Sequence, residues 1–399
     1  MDARVRELVK ATIPVLKEHG VALTTYFYQR LFRHNPELKN IFNQSHNETG
    51  KQPVALAMAV LAYAENIDDP SVLAPVITLI ANKHASVGIR AEHYPIVGKH
   101  LLASIREVLG DAASDELVNA WGVAYGALAD VFIEAESRLY DEACNAEGGW
   151  SGWRSFRIID KVRESEEITS FHLVPCDGGP LPSYRAGQYT TARVFVPELG
   201  VMQLRQYTLS IAPGAMHFRI SVKREPASTT TPAGRVSNRL HDFYKVGDML
   251  ELAPPFGEFF LDETHDGPVV LISGGVGITP MVAMLDRLVA AAPSRPVQFV
   301  HACRNAAVFA FGAHLVKVAE RHPQVKLHLF HDEGPVAAPV QSGRVDLRAL
   351  AGQVLAEGAD YYLCGPVGFL EAQIATLHEL GVESARIHAE VFDTGGIAT

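Results

Sequence analysis

The stretch Pro268-Val-Val-Leu-Ile-Ser-Gly-Gly-Val-Gly-Ile-Thr-Pro280 predicts a strand, a glycine-rich turn and a helix in direct succession. Its apolar first half is typical of a buried strand, and the glycines favour a tight turn. Such a turn brings the backbone close to a pyrophosphate, and the helix after it offers free N–H groups to phosphates. We expect Thr279 to cap this helix and Pro280 to take its first position. The third glycine of the usual dinucleotide fingerprint is missing, so a plain strand–helix connection is the alternative.

Outward from this turn, strands alternate with helices over residues 265–399. Further apolar strands are predicted at 297–302, 326–330 and 361–364. This alternation predicts a doubly wound α/β domain, in which ligands bind at the carboxyl ends of parallel strands. Cys364-Gly365-Pro366 is a second turn at a strand end, and it favours a dinucleotide site over a plain connection. The Cys364 side chain has two interpretations, a small packing residue or a neighbour of a nicotinamide ring.

Two further domains are predicted before this one. Residues 153–264 contain short alternating stretches, such as 188–196 and 218–223, separated by Gly, Pro and Asp, and they predict an antiparallel β-barrel. Residues 1–140 show helical periodicity and predict an all-α domain. A glycine-rich stretch lies at the end of a linker that we place at residues 141–152. We therefore expect a multidomain chain with an all-α, a β-barrel and an α/β part.

The composition disfavours several classes of protein. Lys and Arg number 35 against 45 Asp and Glu, so the net charge of −10 argues against nucleic acid as a partner. No apolar run is long enough for a membrane-spanning helix, so we expect no stable membrane insertion. The four cysteines are scattered without a C-x-x-C pair. This disfavours a zinc site or an iron–sulfur cluster and suits a reduced cytoplasmic setting.

The barrel region carries a candidate flavin site at Arg205-Gln206-Tyr207-Thr208. An arginine can bind a phosphate, and a tyrosine two residues on, on the same strand face, can stack on an aromatic ring. Together with Gly187-Gln188-Tyr189, Gly234-Arg-Val-Ser-Asn238 and the two turns above, this segment resembles the R-x-Y-[ST] pattern of the ferredoxin–NADP reductase superfamily. The resemblance implies FAD on the barrel and NADH or NADPH on the α/β domain, with hydride passing to the flavin. It assigns cofactor binding to Tyr189, Arg205, Gln206, Tyr207, Thr208, Val236, Ser237, Gly274, Gly275, Val276, Gly277, Ile278, Thr279, Cys364, Gly365 and Pro366.

A flavin reductase needs an electron acceptor, and the cysteine pattern leaves no fused iron–sulfur cluster. The acceptor then lies in the N-terminal domain or in another protein, and histidine is the natural haem ligand for such a domain. Residues 1–140 resemble the globin domain of bacterial and yeast flavohaemoglobins. The matching segments are Ala11-Thr-Ile-Pro-Val-Leu16, Asn35-Pro-Glu-Leu-Lys39, Ile41-Phe-Asn43, Asn82-Lys-His-Ala85, Tyr94-Pro-Ile-Val-Gly98 and Ala120-Trp-Gly-Val-Ala-Tyr-Gly126.

This resemblance implies a role for individual residues. His84 is the expected ligand of the haem b iron, with Tyr94 and Glu136 hydrogen-bonded around its other ring nitrogen. The resemblance also implies an oxygen pocket lined by Tyr28, Gln52 and Leu56, and a contact of Phe42 with the porphyrin. It further implies an ion pair between Lys83 and Glu390 and a place at the flavin face for Val391 and Phe392. From residue type alone, Tyr28 and Leu56 are expected in the core, Tyr94 in the core or as a helix cap, and Gln52 and Glu136 on a solvated surface.

The same resemblance implies nitric oxide dioxygenase activity. NAD(P)H reduces FAD, FAD reduces the haem iron, and haem-bound O2 converts nitric oxide to nitrate. Two other classes stay open, an oxygen-binding or oxygen-sensing haem protein and a general flavin reductase acting on peroxides, quinones or external carriers. An apolar pocket around Leu56 also leaves lipid binding open. We expect a monomer, and no residue distinguishes NADH from NADPH.

Two segments differ from the family pattern. Asp393-Thr394 stands where the family usually has Gly-Pro, and the loop Pro226–Gly234 is longer than in some members.

Overall fold

The computed structural model describes residues 1–229 and 232–392. Asp393 and Thr394, like Thr230 and Thr231 in the loop after Pro226, lie outside the described residues, so the expectations about these segments stay predictions. No described helix is long and apolar enough to cross a membrane.

Helices make up the N-terminal part of the chain. They are α1 (Ala3–Ala11), α2 (Ile13–His34), α3 (Gln44–Glu48), α4 (Lys51–Glu65), α5 (Ala74–Val87), α6 (His93–Leu109) and α7 (Asp115–Asn145), with 3-10 turns at Pro36–Asn40, Pro70–Leu73 and Gly110–Ala112. The buried residues of α2 recur every three or four positions, as in Leu23, Phe27 and Leu31, so one stripe of the helix packs into the core. The all-α prediction is confirmed.

An antiparallel sheet follows. Its strands are β1 (Arg154–Arg163), β2 (Ile168–Pro175), β3 (Tyr189–Val196), β4 (Val201–Thr208), β5 (Phe218–Lys223) and β6 (Met249–Leu252), with α8 (Arg235–Phe243) between the last two. The strand order is β4-β3-β6-β1-β2-β5. Just beyond β4, Leu209 forms an antiparallel bridge with Ile220 of β5, and this bridge joins the two ends of the order. The predicted antiparallel barrel is thereby confirmed.

The C-terminal part is a parallel sheet with helices in its connections. Its elements are β7 (Val269–Gly274), α9 (Ile278–Ala291), β8 (Val297–Cys303), α10 (Gly312–Arg321), β9 (Val325–His331), β10 (Val340–Ser342), α11 (Ala351–Val354), β11 (Asp360–Cys364), α12 (Val367–Glu379) and β12 (Ile387–Glu390). The order β10-β9-β8-β7-β11-β12 reverses its direction beside β7. Ligands of doubly wound sheets bind at such a reversal, and both predicted turns lie there, one after β7 and one after β11.

The chain divides into two compact units by its backbone contacts. The first comprises residues 1–153 with the hairpin segment 191–205, and the second comprises 154–190 and 206–392 among the described residues. Helix α7 runs to Asn145, five residues into the segment expected to be a linker. The module boundaries at residues 140, 152 and 264 stay predictions.

The glycine turn differs in detail from its prediction. A 3-10 turn over Gly275–Gly277 already begins the helical path, so α9 starts at Ile278 with Gly277 as its N-cap. Thr279 is therefore not the cap, and Pro280 is the third helical residue rather than the first. The Thr279 hydroxyl instead donates to the Val276 carbonyl at 3.0 Å. The expectation failed because the helical path begins at the 3-10 turn Gly275–Gly277, before the threonine.

Candidate functional site

His84 lies in the last turn of α5, where it meets side chains from α6 and α7. Its Nδ1 is 2.8 Å from Glu136 Oε1 and 3.2 Å from the Tyr94 hydroxyl. Tyr94 in turn donates its hydroxyl proton to Glu136 Oε1 over 2.6 Å. The structure therefore brings together all three residues that the sequence predicts around this imidazole.

The carboxylate in this group is buried, and its position fixes the histidine tautomer. Glu136 is 2% exposed, so the solvated helix face considered from its residue type is wrong. A carboxylate only accepts hydrogen bonds, so Nδ1 carries the proton and Nε2 is left as the basic nitrogen. Burial, together with the hydrogen bond to Glu136, raises the pKa of Tyr94, which therefore remains protonated and keeps donating.

Helix α7 contributes two aromatic residues to this region that are not among the predicted site residues. Phe132 and Tyr140 lie four residues before and after Glu136, so the three side chains share one helix face. The Phe132 ring centroid is 5.6 Å from that of His84, and the Tyr140 hydroxyl donates to the Ile89 carbonyl at 2.5 Å, just beyond the end of α5. The four-residue spacing was the available signal for both residues.

A second group is formed by Tyr28 on α2 and Gln52 on α4. The Gln52 amide donates to the Tyr28 hydroxyl at 3.3 Å, and Tyr28 is buried. Burial raises the pKa of Tyr28 to about 12, so its hydroxyl stays protonated at neutral pH. Since the oxygen accepts from Gln52, its proton is available to a further acceptor.

Apolar side chains surround this hydroxyl. Phe42 packs edge-on against Tyr28 with 5.7 Å between ring centroids and against Phe32 with 5.6 Å. Leu56, one turn along α4 from Gln52, is half-buried against the same core. The predicted residues of this pocket thus come from α2, α4 and the segment before α3.

These residues fit a haem by the chemistry of their donors. Iron in a porphyrin takes an imidazole nitrogen as an axial ligand, and Nε2 of His84 is such a nitrogen, oriented by a carboxylate on Nδ1. Tyr28 supplies a neutral hydrogen-bond donor, and Phe42 and Leu56 supply apolar contacts for a ring system.

The candidate flavin residues meet the requirements of a diphosphate and an aromatic ring. Arg205, Gln206, Tyr207 and Thr208 stand in succession on β4, and alternation puts Arg205 and Tyr207 on one strand face. Helix α8 begins at Arg235 after Gly234, which has no side chain that could cap it, so the N–H groups of Val236 and Ser237 in its first turn can face an anion. Tyr189 is buried beside Gly257, where an added Cβ would lie 2.9 Å from its ring.

The two turns at the carboxyl ends of β7 and β11 pack directly against each other. A Cβ on Gly277 would lie 2.1 Å from the Cys364 carbonyl oxygen, and one on Gly365 would lie 3.2 Å from the Gly274 nitrogen. Gly275 has a φ of +56°, which favours glycine. Glycine at 277 is therefore required by backbone packing, in addition to any approach of a phosphate.

The Cys364 side chain is fully buried in the apolar core of the α/β sheet. Burial raises the pKa of its thiol well above the usual value, so the thiol stays neutral. These facts agree with the packing interpretation, and a place beside a nicotinamide ring stays a prediction.

The remaining predicted residues are placed individually. Lys83 precedes His84 on α5, Glu390 is the last residue of β12, and Val391 and Phe392 follow it, with Phe392 47% exposed. The Lys83–Glu390 ion pair and the covering of a flavin by Phe392 stay predictions. Val276 and Ile278 belong to the glycine turn, and Pro366 is exposed at the start of α12.

Comparison with known proteins settles the family. The globin family model matches residues 25–132, and the oxidoreductase NAD-binding domain model matches residues 271–374. A flavohemoprotein from Chromobacterium violaceum is 56% identical over 397 residues, which cover 98% of both chains. The chain belongs to the flavohaemoglobin family. A second flavohaemoglobin, the flavohemoprotein of Bordetella parapertussis, is 55% identical over the full length of both chains.

Solved structures agree with this family. The crystal structure of the flavohemoglobin of Malassezia yamatoensis, which contains bound FAD and haem, has a TM-score of 0.88 at 27% identity and covers 98% of this flavohaemoglobin and 99% of its own chain. The flavohaemoglobin-like FAD/NAD-binding domain of a nitric oxide dioxygenase from Vibrio cholerae is 38% identical, with a TM-score of 0.55. It covers 60% of this chain and 98% of its own.

Proposed function

We propose that the chain is an NAD(P)H-dependent nitric oxide dioxygenase that binds haem b and FAD and converts nitric oxide and O2 into nitrate. The likeness to the FAD/NAD-binding domain of the Vibrio cholerae nitric oxide dioxygenase supports this activity. The FAD and haem of the Malassezia yamatoensis protein support the cofactors. Bound haem supplies the iron at which the two gases react, and bound FAD divides a hydride into single electrons.

The buried contact between His84 Nδ1 and Glu136 carries the proposal. A carboxylate hydrogen-bonded to a metal-binding imidazole raises the basicity of the ligating nitrogen. A more electron-donating axial ligand favours cleavage of an O–O bond over simple storage of O2. Tyr94 keeps the carboxylate in place because its hydroxyl donates to the same oxygen that His84 approaches.

We assign the binding of O2 to the Tyr28 side chain. Its hydroxyl donates a hydrogen bond to O2, and Gln52 orients that hydroxyl by donating to its oxygen. Phe42 would pack against the porphyrin, and Leu56 would help to exclude water from the pocket. Lipid in this apolar pocket and a monomeric state stay predictions.

In the reductase part, Arg205 and the N-terminus of α8 bind the flavin diphosphate, and Tyr207 and Thr208 contact the flavin ring. The turns at Gly274–Thr279 and Cys364–Pro366 bind the nicotinamide nucleotide. Such turns at the reversal point of a doubly wound sheet are where dinucleotides bind.

Steady-state turnover tests the proposal. The purified chain receives NADH, O2 and nitric oxide, and NADH consumption and nitrate formation are followed together. We expect nitrate to form only when all three are present. Consumption of NADH without nitrate would contradict the proposal.

Variations of this assay separate the two other classes of function. An oxygen-sensing protein would consume NADH slowly and at a rate independent of nitric oxide. A general flavin reductase would pass electrons to quinones or peroxides equally well after haem removal. We expect nitrate formation to be lost with the haem.

A further inference from the structure

Strand β4 lies at the end of the order of the antiparallel sheet, and its outer edge meets the segment Lys39–Gln44. The backbone N–H of Met202 donates to the Asn40 side chain at 2.8 Å. An exposed strand edge leaves N–H and C=O groups unpaired, and proteins cover such edges with loops. Here the covering loop is the one that carries Phe42.

Gln203 makes the central contact with this loop. Its Oε1 accepts the backbone N–H of Gln44 at 3.1 Å, and its Nε2 donates to the Lys39 carbonyl at 3.2 Å. The side chain is 1% exposed, so each polar atom needs a protein partner. The Gln203 amide thus contacts both ends of this loop, which are Lys39 in the 3-10 turn and Gln44 at the start of α3.

Phe42 lies between Lys39 and Gln44, the two residues that the Gln203 side chain contacts. Gln44 adds to the constraint because its side chain donates to the Phe42 carbonyl at 3.0 Å and to the Lys39 carbonyl at 3.2 Å. The Phe42 ring packs edge-on against Tyr28, so a displacement of this loop moves the ring beside the proposed oxygen-binding hydroxyl. Gln203 is therefore positioned to affect the pocket through Phe42.

The same strand carries the proposed flavin residues. Gln203, Arg205 and Tyr207 alternate along β4, so they share one face of the strand. Arg205 follows Gln203 by two residues, a spacing of about 7 Å along a strand. A shift of β4 upon flavin binding would therefore reach the Gln203 amide.

We propose that Gln203 is a positioning residue that ties the loop Lys39–Gln44 to the flavin-binding strand, so that FAD occupancy alters how the haem pocket holds a gaseous ligand. The inference rests on the proposed places of Phe42 at the porphyrin and of Arg205–Thr208 at the flavin. Thermodynamic linkage makes this coupling reciprocal. If FAD changes the equilibrium affinity of the pocket for a gaseous ligand by a given factor, that ligand changes the affinity for FAD by the same factor.

Carbon monoxide rebinding to the full-length ferrous protein after flash photolysis tests this coupling. The haem-loaded chain is prepared with FAD and after FAD removal, and absorption spectra establish both states before the kinetic measurement. We expect the rebinding rate to differ by at least about twofold between the two states of the unchanged protein. Equal rates would overturn the proposal.

The variant Gln203→Leu removes both hydrogen-bonding groups and leaves an apolar side chain that is one atom shorter. We expect its ratio of rates with and without FAD to fall towards one, while Glu198→Gln, an exposed change on the same hairpin, retains the original ratio. A Gln203→Leu protein whose two rates change equally would show a structural role only and would overturn the coupling.

The variant Asn40→Ala provides a second test if Gln203→Leu does not fold. It removes the side chain that accepts from Met202 and that also donates to the Glu37 carbonyl, and we expect it to lower the ratio as well. An unchanged ratio in this variant would contradict the proposal. Because carbon monoxide rebinding involves no turnover, the result is independent of whether nitrate forms.

Discussion

At the scale of single residues, the proposed chemistry depends on two hydrogen bonds to buried groups. One is the Gln52 amide on the Tyr28 hydroxyl, and the other is His84 Nδ1 on Glu136. The first hydrogen bond leaves the Tyr28 O–H free to donate to another group. The second leaves Nε2 of His84 as the nitrogen without a proton. Three measurements test these two atoms.

Replacement of Tyr28 by phenylalanine removes the hydroxyl and keeps the ring. A hydrogen bond contributes about 1 kcal/mol, so we expect O2 to leave the ferrous protein about fivefold faster or more. Stopped-flow displacement of O2 by carbon monoxide measures this rate. Tyr63→Phe is the matched control, since its buried hydroxyl bonds the Ala124 carbonyl instead, and its O2 dissociation rate should be unchanged.

The pH dependence of the same rate follows from the raised pKa of Tyr28. Burial lifts this pKa to about 12, so the hydroxyl remains a donor up to a pH well above the ordinary tyrosine value of 10.0. We expect the O2 dissociation rate to stay constant from neutral pH to about pH 10. A rate that rises with a midpoint below that pH would remove Tyr28 from the role of donor.

Replacement of Glu136 by glutamine keeps the shape of the side chain and removes its charge. We expect nitrate turnover to fall about 10–100-fold, as is typical when the partner of a metal-binding histidine is lost. The iron–histidine stretching band in resonance Raman spectra should move to lower frequency. Glu134→Gln, an exposed change on the same helix, should leave both unchanged, and an unshifted band in Glu136→Gln would contradict the account.

At the scale of elements, hydrophobic patterning predicts the strands and helices well. The predicted strand at 297–302 is Val297–Cys303 in the structure, and that at 361–364 is Asp360–Cys364. Local sequence patterns fail to predict a residue's role where that role depends on backbone geometry or on contacts with residues far away in the sequence. Thr279 is not a cap because the 3-10 turn Gly275–Gly277 begins the helical path before it, and Gln203 contacts residues more than 150 positions away, which no local pattern reveals.

Two glycines of the α/β domain should respond to alanine in opposite directions. A Cβ at Gly277 would lie 2.1 Å from the Cys364 carbonyl oxygen, so Gly277→Ala must displace α9 and should cost about 1–3 kcal/mol of unfolding free energy. Gly368 has open space around it in α12, so Gly368→Ala should stabilise by up to about 1 kcal/mol. Urea denaturation of both variants measures the effects. Equal responses would show that the contact between the two turns is not tight.

At the scale of the whole molecule, the proposed haem ligand and the proposed nucleotide turns lie in different compact units. We therefore expect His84→Ala to lose the Soret band and nitrate formation while retaining NADH oxidation by ferricyanide. His19→Ala, an exposed histidine on α2, should retain all three properties. A full Soret band in His84→Ala would show that another residue is the iron ligand.

The most direct test of the dioxygenase reaction is the origin of the oxygen atoms in nitrate. The protein, reduced by NADH without O2, is mixed with isotopically labelled O2 and unlabelled nitric oxide, and the nitrate is analysed by mass spectrometry. A dioxygenase transfers both atoms of one O2 molecule to one nitric oxide, so we expect nitrate that carries two labelled oxygens. Nitrate with a single labelled oxygen, or nitrite as the main product, would contradict the account.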